Sequence, residues 1–396
     1  MTAREASRDA ASKHAREAQE ADPGAHPRYV ATYSTGHPPH VRTPLDVQSA
    51  MRWVLVAVLP CVVMGVFDTG LQANRAIASG ASPTPGWRIA FLSALGLADG
   101  AEGVAAALVH GVLYLGPAVA VALAAGFAVE RGMARLRGRE ADHGALGVIA
   151  LLFALCLPPT IPLARVAFGA VMAFFVGKEV FGGLGRNFLN PPLTGLAFLY
   201  FAYPGALSGD DVWVAVDGVS GATPLAIAAQ SGMEGIRASG LDWRTAFVGL
   251  VPGAMGGTSP LAALLGAVVL VRAGLAPARI LAGGVLGLVL GVALLRAIGV
   301  EGPAISMPWT WHALTGGFAF GLVFLATDPV TGSITPPGRF AYGLLIGVLV
   351  VVIRVANPAH RDGVMLAILL GNVAAPLLDH VAARLWMRRW RAIDGG

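Results

Sequence analysis

Eight consecutive residues, Asp217-Gly218-Val219-Ser220-Gly221-Ala222-Thr223-Pro224, gather one carboxylate, two hydroxyls and two glycines just ahead of an apolar PLAIAA segment. Asp-Gly and Ser-Gly steps favour turns, Thr223 is a good N-cap, and Pro224 suits the first position of a helix. Taken alone, the stretch is turn chemistry followed by the start of a helix.

A second set of polar residues sits beside prolines. Asn187 and Asn190 fall in GRNFLNPP, and Asp328 in TDPVTG. Asparagine presents both a donor and an acceptor, and an ionisable group at membrane depth is a functional candidate by default. The alternative is that these residues cap half-helices and satisfy freed carbonyls. Cys61 and Cys156 lie in separate apolar stretches, with no CxxC pair and no Cys/His cluster at metal-ligand spacing, so they read as packing residues. No metal site and no catalytic acid or base is expected.

The elements that position these residues follow from composition. The chain has 396 residues, 55% hydrophobic and 13% charged. That charged share is about half of what a soluble domain carries. The net charge of +5 does not point to nucleic acid, because the basic residues sit in the tail and short loops, as membrane topology requires. Apolar runs at 53–71, 108–130, 145–158, 163–178, 192–204, 260–273, 278–298, 311–326, 339–355 and 363–383 predict an all-α polytopic protein in lipid, with about ten transmembrane helices. Several runs are too short to cross alone and are broken by LPPTIP, NPP, TDPVTG or NPAHRDG. In hydrocarbon, such breaks persist only where protein or a wet cavity surrounds the freed backbone groups.

The resulting organisation is a polar tail at 1–50, a first transmembrane half at 51–204, a loop at 205–258, a second half at 259–385 and a basic C-terminus at 386–396. The tail has no apolar core ahead of a cleavage site and so reads as a tail, not a signal peptide. The segments 131–140, 178–186 and 272–279 and the C-terminus are basic, whereas Asp210, Asp211, Asp217, Glu234 and Asp242 make the 205–258 loop acidic. The positive-inside rule then puts both termini in the cytoplasm and that loop outside. The two five-helix halves carry a candidate inverted repeat with broken helices, pairing Asn190-Pro191 with Asn357-Pro358 and 158–183 with 308–332.

Four blocks in order, GKEVFGGLGRNFLNPPLTGLAFLYFAYP (177–204), DGVSGATPL (217–225), MPWTWHALTGGFAFGLVFLATDPVTGS (307–333) and IRVANPAHRDGVMLAILLGNVAAPLLDH (353–380), resemble the family of B subunits of the Na+-translocating NADH:quinone reductases (the Nqr complex). The D subunit of the Rnf complex shares the SGAT element. The resemblance runs from about Thr43 to the last span and omits the tail. It implies FMN joined to Thr223 through a phosphoester installed by a separate flavin transferase, with Asp217, Ser220, Gly221 and Ala222 as the surrounding motif. It also implies a noncovalent riboflavin, for which Asn187, Asn190 and Asp328 are the candidates, and a part in the ubiquinone site. The quinone candidates are Ala125 and Gly126, where the family often has a Gly-Gly pair.

The expected function is therefore that of a redox subunit in a multi-subunit complex of the bacterial inner membrane, moving electrons toward quinone with coupled Na+ transport. NADH itself would bind elsewhere, since no GxGxxG follows a strand. The Rnf-type counterpart, or a flavin-free secondary transporter, is the alternative. Of the remaining ionisable residues, Glu130 reads as a solvated end-of-span charge, Lys178-Glu179 as an ion pair at the interface, His312 as part of an aromatic belt, and Asp379 as a partner of His380 or Arg384.

Overall fold

The computed structural model describes residues 47–394 except 84, 99, 101–102, 139, 142, 209–211, 218–220 and 358–361. The polar tail, apart from 47–50, lies outside the described residues, as does Ser220. The described residues form an all-α protein with one two-stranded ribbon.

The first half holds α1 (Val47–Ala78), the short α2 (Trp87–Ala94), α3 (Val104–Leu136), α4 (Leu146–Leu155), α5 (Leu163–Phe174) and α6 (Pro191–Ala202). The connecting segment holds α7 (Gly205–Ser208), α8 (Pro224–Ala238) and α9 (Trp243–Val248). The second half holds α10 (Pro260–Arg272), α11 (Ala278–Ala297), α12 (Trp309–Leu314), α13 (Phe318–Phe320), α14 (Pro336–Ala356) and α15 (Val364–Asp394). Each of the ten apolar runs contains helix. The basic C-terminal segment continues α15 without a break to Asp394.

Five helices, α1, α3, α11, α14 and α15, are long and apolar enough to cross a bilayer. The others are short: α4 has 10 residues, which is ~15 Å of helix against a hydrocarbon core of ~30 Å. Two of the breaks share one form. A π-turn at Phe175–Glu179 continues α5, and another at Gly321–Leu325 continues α13. Each is followed, after a turn, by a helix that starts on a capped Pro-Pro pair: Asn190 ahead of Pro191-Pro192, and Thr335 ahead of Pro336-Pro337. The match between 158–183 and 308–332 therefore has a structural counterpart. The pairing of Asn190 with Asn357 does not, because Asn190 begins a helix whereas Asn357 ends one.

The halves meet where α1 packs on α10 and where α6 packs on α15. Within the second half, α11 and α14 approach almost backbone to backbone. A Cβ on Gly347 would lie 2.2 Å from the Gly284 carbonyl oxygen, and one on Gly343 would lie 2.2 Å from that of Ile280. Small residues are the usual means of helix contact in lipid, where no hydrophobic force drives helices together. Large apolar side chains such as Leu264, Leu290, Leu377 and Phe201 are left exposed, as a lipid-facing surface requires.

Asp379 takes a different role from the expected pairing with His380 or Arg384. It accepts from Ser333 Oγ (2.6 Å), Thr335 Oγ1 (2.5 Å) and the backbone N–H groups of Ile334 (3.0 Å) and Thr335 (2.9 Å). It thus pins the start of α14 to α15.

Gly347→Val should lower stability by about 1–3 kcal/mol through overpacking. Gly132→Val, where an added Cβ meets nothing within 4 Å, serves as the control. Thermal unfolding in detergent checks this, and equal melting of the two variants would contradict the close approach.

Candidate functional site: two cavities on either side of the helix breaks

Thr223 lies at the N-cap of α8 in an extended conformation (φ −66°, ψ 154°), and its Oγ1 accepts the Ala226 N–H at 3.2 Å. The same device starts three other helices. Asn190, Ser259 and Thr335 each cap a helix whose first residue is proline. Capping alone therefore does not distinguish Thr223; its surroundings do. It lines two adjoining cavities, of about 780 and 630 Å³ including their open mouths, whose walls share Trp213, Cys156, Leu196, Asp362 and Met365.

The chain leading to Thr223 is held from several sides. Tyr114 Oη donates to the Ala215 carbonyl (3.2 Å) and Thr160 Oγ1 to that of Val212 (2.9 Å). The ribbon pairs β1 (Ser82–Pro83) with β2 (Val216–Asp217) antiparallel, so that Asp217 opposes Ser82. Gly221 is buried, and a Cβ there would strike Val214 Cγ2 at 2.4 Å. The space beside Gly221 thus belongs to Val214, and the open space lies at half-buried Thr223. Ala222 is likewise half-buried.

The far wall of the larger cavity is the turn Thr315-Gly316-Gly317 between α12 and α13. Gly316 has φ +61°, and a Cβ on it would meet the Arg354 guanidinium and Leu225 at 2.7 Å each. Arg354 is 3% exposed and donates to three main-chain carbonyls: His312 (2.6 Å), Thr315 (2.8 Å) and Asp362 (2.8 Å). One buried cation thus gathers carbonyls from the end of α12, the turn after it and the segment before α15. His312, expected in an aromatic belt, is instead fully buried, with Nδ1 3.4 Å from Arg354 Nη1. Its Nε2, Thr258 Oγ1 and Asn187 Oδ1 are the buried side-chain atoms among the described residues that have no hydrogen-bond partner. Thr258 lines the larger cavity.

A third cavity lies on the other side of the same elements. Where the larger Thr223 cavity is lined by Leu155, Leu193, Leu325 and Phe320, this one is lined by Leu152, Asn190, Pro191 and Phe324. It brings together Asn187, Asn190 and Asp328, residues up to 141 positions apart in sequence, along with Lys178. Much of this polarity is already used. Asn190 Oδ1 caps α6 at Leu193 N (3.3 Å), its Nδ2 donates to Leu325 O (3.2 Å), and its backbone N–H donates to Asn372 Oδ1 (3.1 Å). Asp328 accepts from Val330 N and Thr331 Oγ1, both at 3.1 Å. Asn187 donates to Leu189 O (3.2 Å), leaving its buried Oδ1 as an open acceptor.

Behind that cavity is a charge cluster. Glu130 is 2% exposed, not solvated, and pairs with Lys178 Nζ and with His143 Nδ1 (2.5 Å). Lys178 also faces Glu179 (3.9 Å), which pairs with Arg137 (3.0 Å). Lys178-Glu179 is therefore part of a buried network, not an interfacial pair. Ala125 and Gly126 lie apart from all three cavities. Gly126 is buried, a Cβ there would overlap the Phe174 ring at 2.4 Å, and Ala125 is half-buried.

Ten apolar helical segments, five long enough to span and the rest broken around internal cavities, define a polytopic membrane protein. The chain belongs to the NQR2, RnfD, RnfE family, whose profile matches residues 34–386. It is 47% identical over 351 residues to the B subunit of the Na(+)-translocating NADH-quinone reductase of Chromohalobacter salexigens, covering 88% of this chain and 85% of that protein. The corresponding B subunits of Azotobacter vinelandii (46% over 354 residues; 88% and 87%) and Pseudomonas aeruginosa (44% over 360 residues; 90% and 89%) are similar to it to the same degree.

Arg354→Met should remove three charge-assisted hydrogen bonds worth ~1.5–3 kcal/mol each, and Arg354→Lys should recover only part of the loss. Melting of the purified protein tests this. Wild-type melting in Arg354→Met would show that the three carbonyls do not depend on Arg354.

Proposed function

We propose that this chain is the membrane subunit of a Na+-pumping NADH:quinone oxidoreductase, with FMN esterified to Thr223, a noncovalent riboflavin in the Asn187 cavity, and electron delivery to ubiquinone coupled to Na+ translocation. The observation that carries the reading is the placement of Thr223. Its hydroxyl stands at a helix N-terminus and at the junction of two apolar cavities. A phosphoester on Oγ1 would lie beside the first N–H groups of α8, where the helix dipole favours negative charge.

The residues fit the two flavins in different ways. At Thr223, the mostly apolar lining with one unpartnered hydroxyl, Thr258 Oγ1, suits a flat aromatic ring with a polar edge. In the Asn187 cavity, the open Oδ1 acceptor suits an N–H or hydroxyl donor of a ring or ribityl chain. Asn190 and Asp328 hold the cavity's walls and rim through the bonds already described. Flavins bound at these places would supply the electron-transfer chemistry, and the protein would supply position, dryness and electrostatics. Asn190, which lines the Asn187 cavity, is hydrogen-bonded to the carbonyl of Leu325, which lines the larger Thr223 cavity.

In this reading both termini are cytoplasmic in the bacterial inner membrane, and the acidic 205–258 loop faces outward, where a separate flavin transferase reaches Thr223. The ribbon ahead of the motif and α8 after it would give that enzyme a folded platform. Asp217 and Ser220 serve recognition, and Ala125 and Gly126 on α3 border the quinone. The other subunits of the complex donate electrons and complete the quinone and ion paths. An Rnf-type assignment draws on the same family, but the similar proteins named above are all B subunits of NADH-quinone reductases.

In-gel fluorescence after denaturation tests the attachment. The protein co-expressed with its transferase should give a fluorescent band, and Thr223→Val should give a dark one. Thr223→Asn keeps an N-cap oxygen but has no hydroxyl, so it should be folded, inserted and dark. A dark wild-type band, or a fluorescent Thr223→Asn band, would overturn the reading.

A further inference from the structure

We infer that Lys178 sets the reduction potential of the flavin in the Asn187 cavity, acting through its charge from the cavity wall. This rests on the reading that a flavin binds there. Lys178 has no exposed surface and sits on the π-turn that ends α5. Of the cluster Glu130, Arg137, His143, Lys178 and Glu179, Lys178 alone lines the cavity.

Buried charges are costly unless paired, and here the pairing is close to balanced. Lys178 and Arg137 offset Glu130 and Glu179. Among the groups facing Lys178 are Glu130 from α3 and its own neighbour Glu179, with His143 and Arg137 behind them. Toward the cavity the neighbouring lining is Met51, Val54, Val148 and Leu152, together with the neutral amides of Asn187 and Asn190; Asp328 lines it from the second half. The ammonium is thus held among carboxylates, and Lys178 is the member of the cluster that borders the cavity, where a charge is weakly screened.

The step affected is addition of one electron to the bound ring. No bond to the protein forms or breaks, and the ring gains one negative charge unless a proton from solvent accompanies it. A cation in the wall favours that charge. Removing it leaves Glu130 and Glu179 in excess, which opposes the charge further, so both effects act in one direction.

The test is a spectroelectrochemical titration of the noncovalent flavin in the purified whole complex, with dithionite as reductant and acid-extracted flavin counted in parallel. Lys178→Met should shift its potential downward and Glu130→Gln upward. The double variant should fall between them, and Lys178→Arg should stay near wild type. This opposed pattern is one that a purely structural lysine would not produce. It remains readable in Glu130→Gln and Lys178→Arg if Lys178→Met fails to assemble. Full noncovalent flavin with an unmoved potential in Glu130→Gln and Lys178→Met would overturn the inference alone. A wild-type complex with no acid-extractable flavin, or flavin retained unchanged in Asn187→Leu with the cavity filled, would overturn the underlying site instead.

Discussion

A peptide group left bare in hydrocarbon costs several kcal/mol, and this chain breaks its helices repeatedly at membrane depth. The architecture is organised around covering those breaks. At one break Asn190 uses both ends of its amide and its backbone N–H to tie α6 to the second π-turn and to α15. At another, Arg354 binds carbonyls from α12, the following turn and the segment before α15. Asp379 does the converse, collecting N–H and hydroxyl donors at the start of α14. Each of these side chains is polar, buried or half-buried, and engaged with main-chain groups from another element.

The breaks also create the cavities. A continuous helix presents side chains evenly along its length, whereas a short helix that ends inside the protein leaves space beyond its tip. Here α4, α6 and the α13 segment end close together. Their two sides line separate cavities, one opening at Thr223 and the other at Asn187. Around these cavities, α11 and α14 pack closely through glycines such as Gly284, Gly343 and Gly347.

Much of this was legible in the sequence. The ten apolar runs, the X-Pro helix starts and the placement of breaks follow from hydropathy and from proline and capping chemistry, which are local properties. The convergence of Asn187, Asn190 and Asp328 was approached through a shared rule, that polar residues beside broken helices face inward. What was missed is non-local. Arg354 reads as an ordinary end-of-span charge until α12 and residue 362 are seen to fold over it. Its position at the acidic side of the charge pattern was the available signal. Glu130 and Lys178, 48 residues apart, gave no hint of each other, and His312 was disguised by two neighbouring tryptophans. Of the paired segments, 158–183 and 308–332 share a π-turn, whereas Asn190 opens a helix and Asn357 closes one, because a dipeptide does not say which it does.

The central claim is that Thr223 is a capping residue whose hydroxyl also carries a cofactor into the cavities between the halves. Mass spectrometry of the peptide containing Thr223, from complex isolated after co-expression with its flavin transferase, tests it most directly. The account predicts a mass increase equal to FMN less one water, with fragment ions that place it on Thr223. An unmodified Thr223 peptide from complex that is active as a quinone reductase would contradict it.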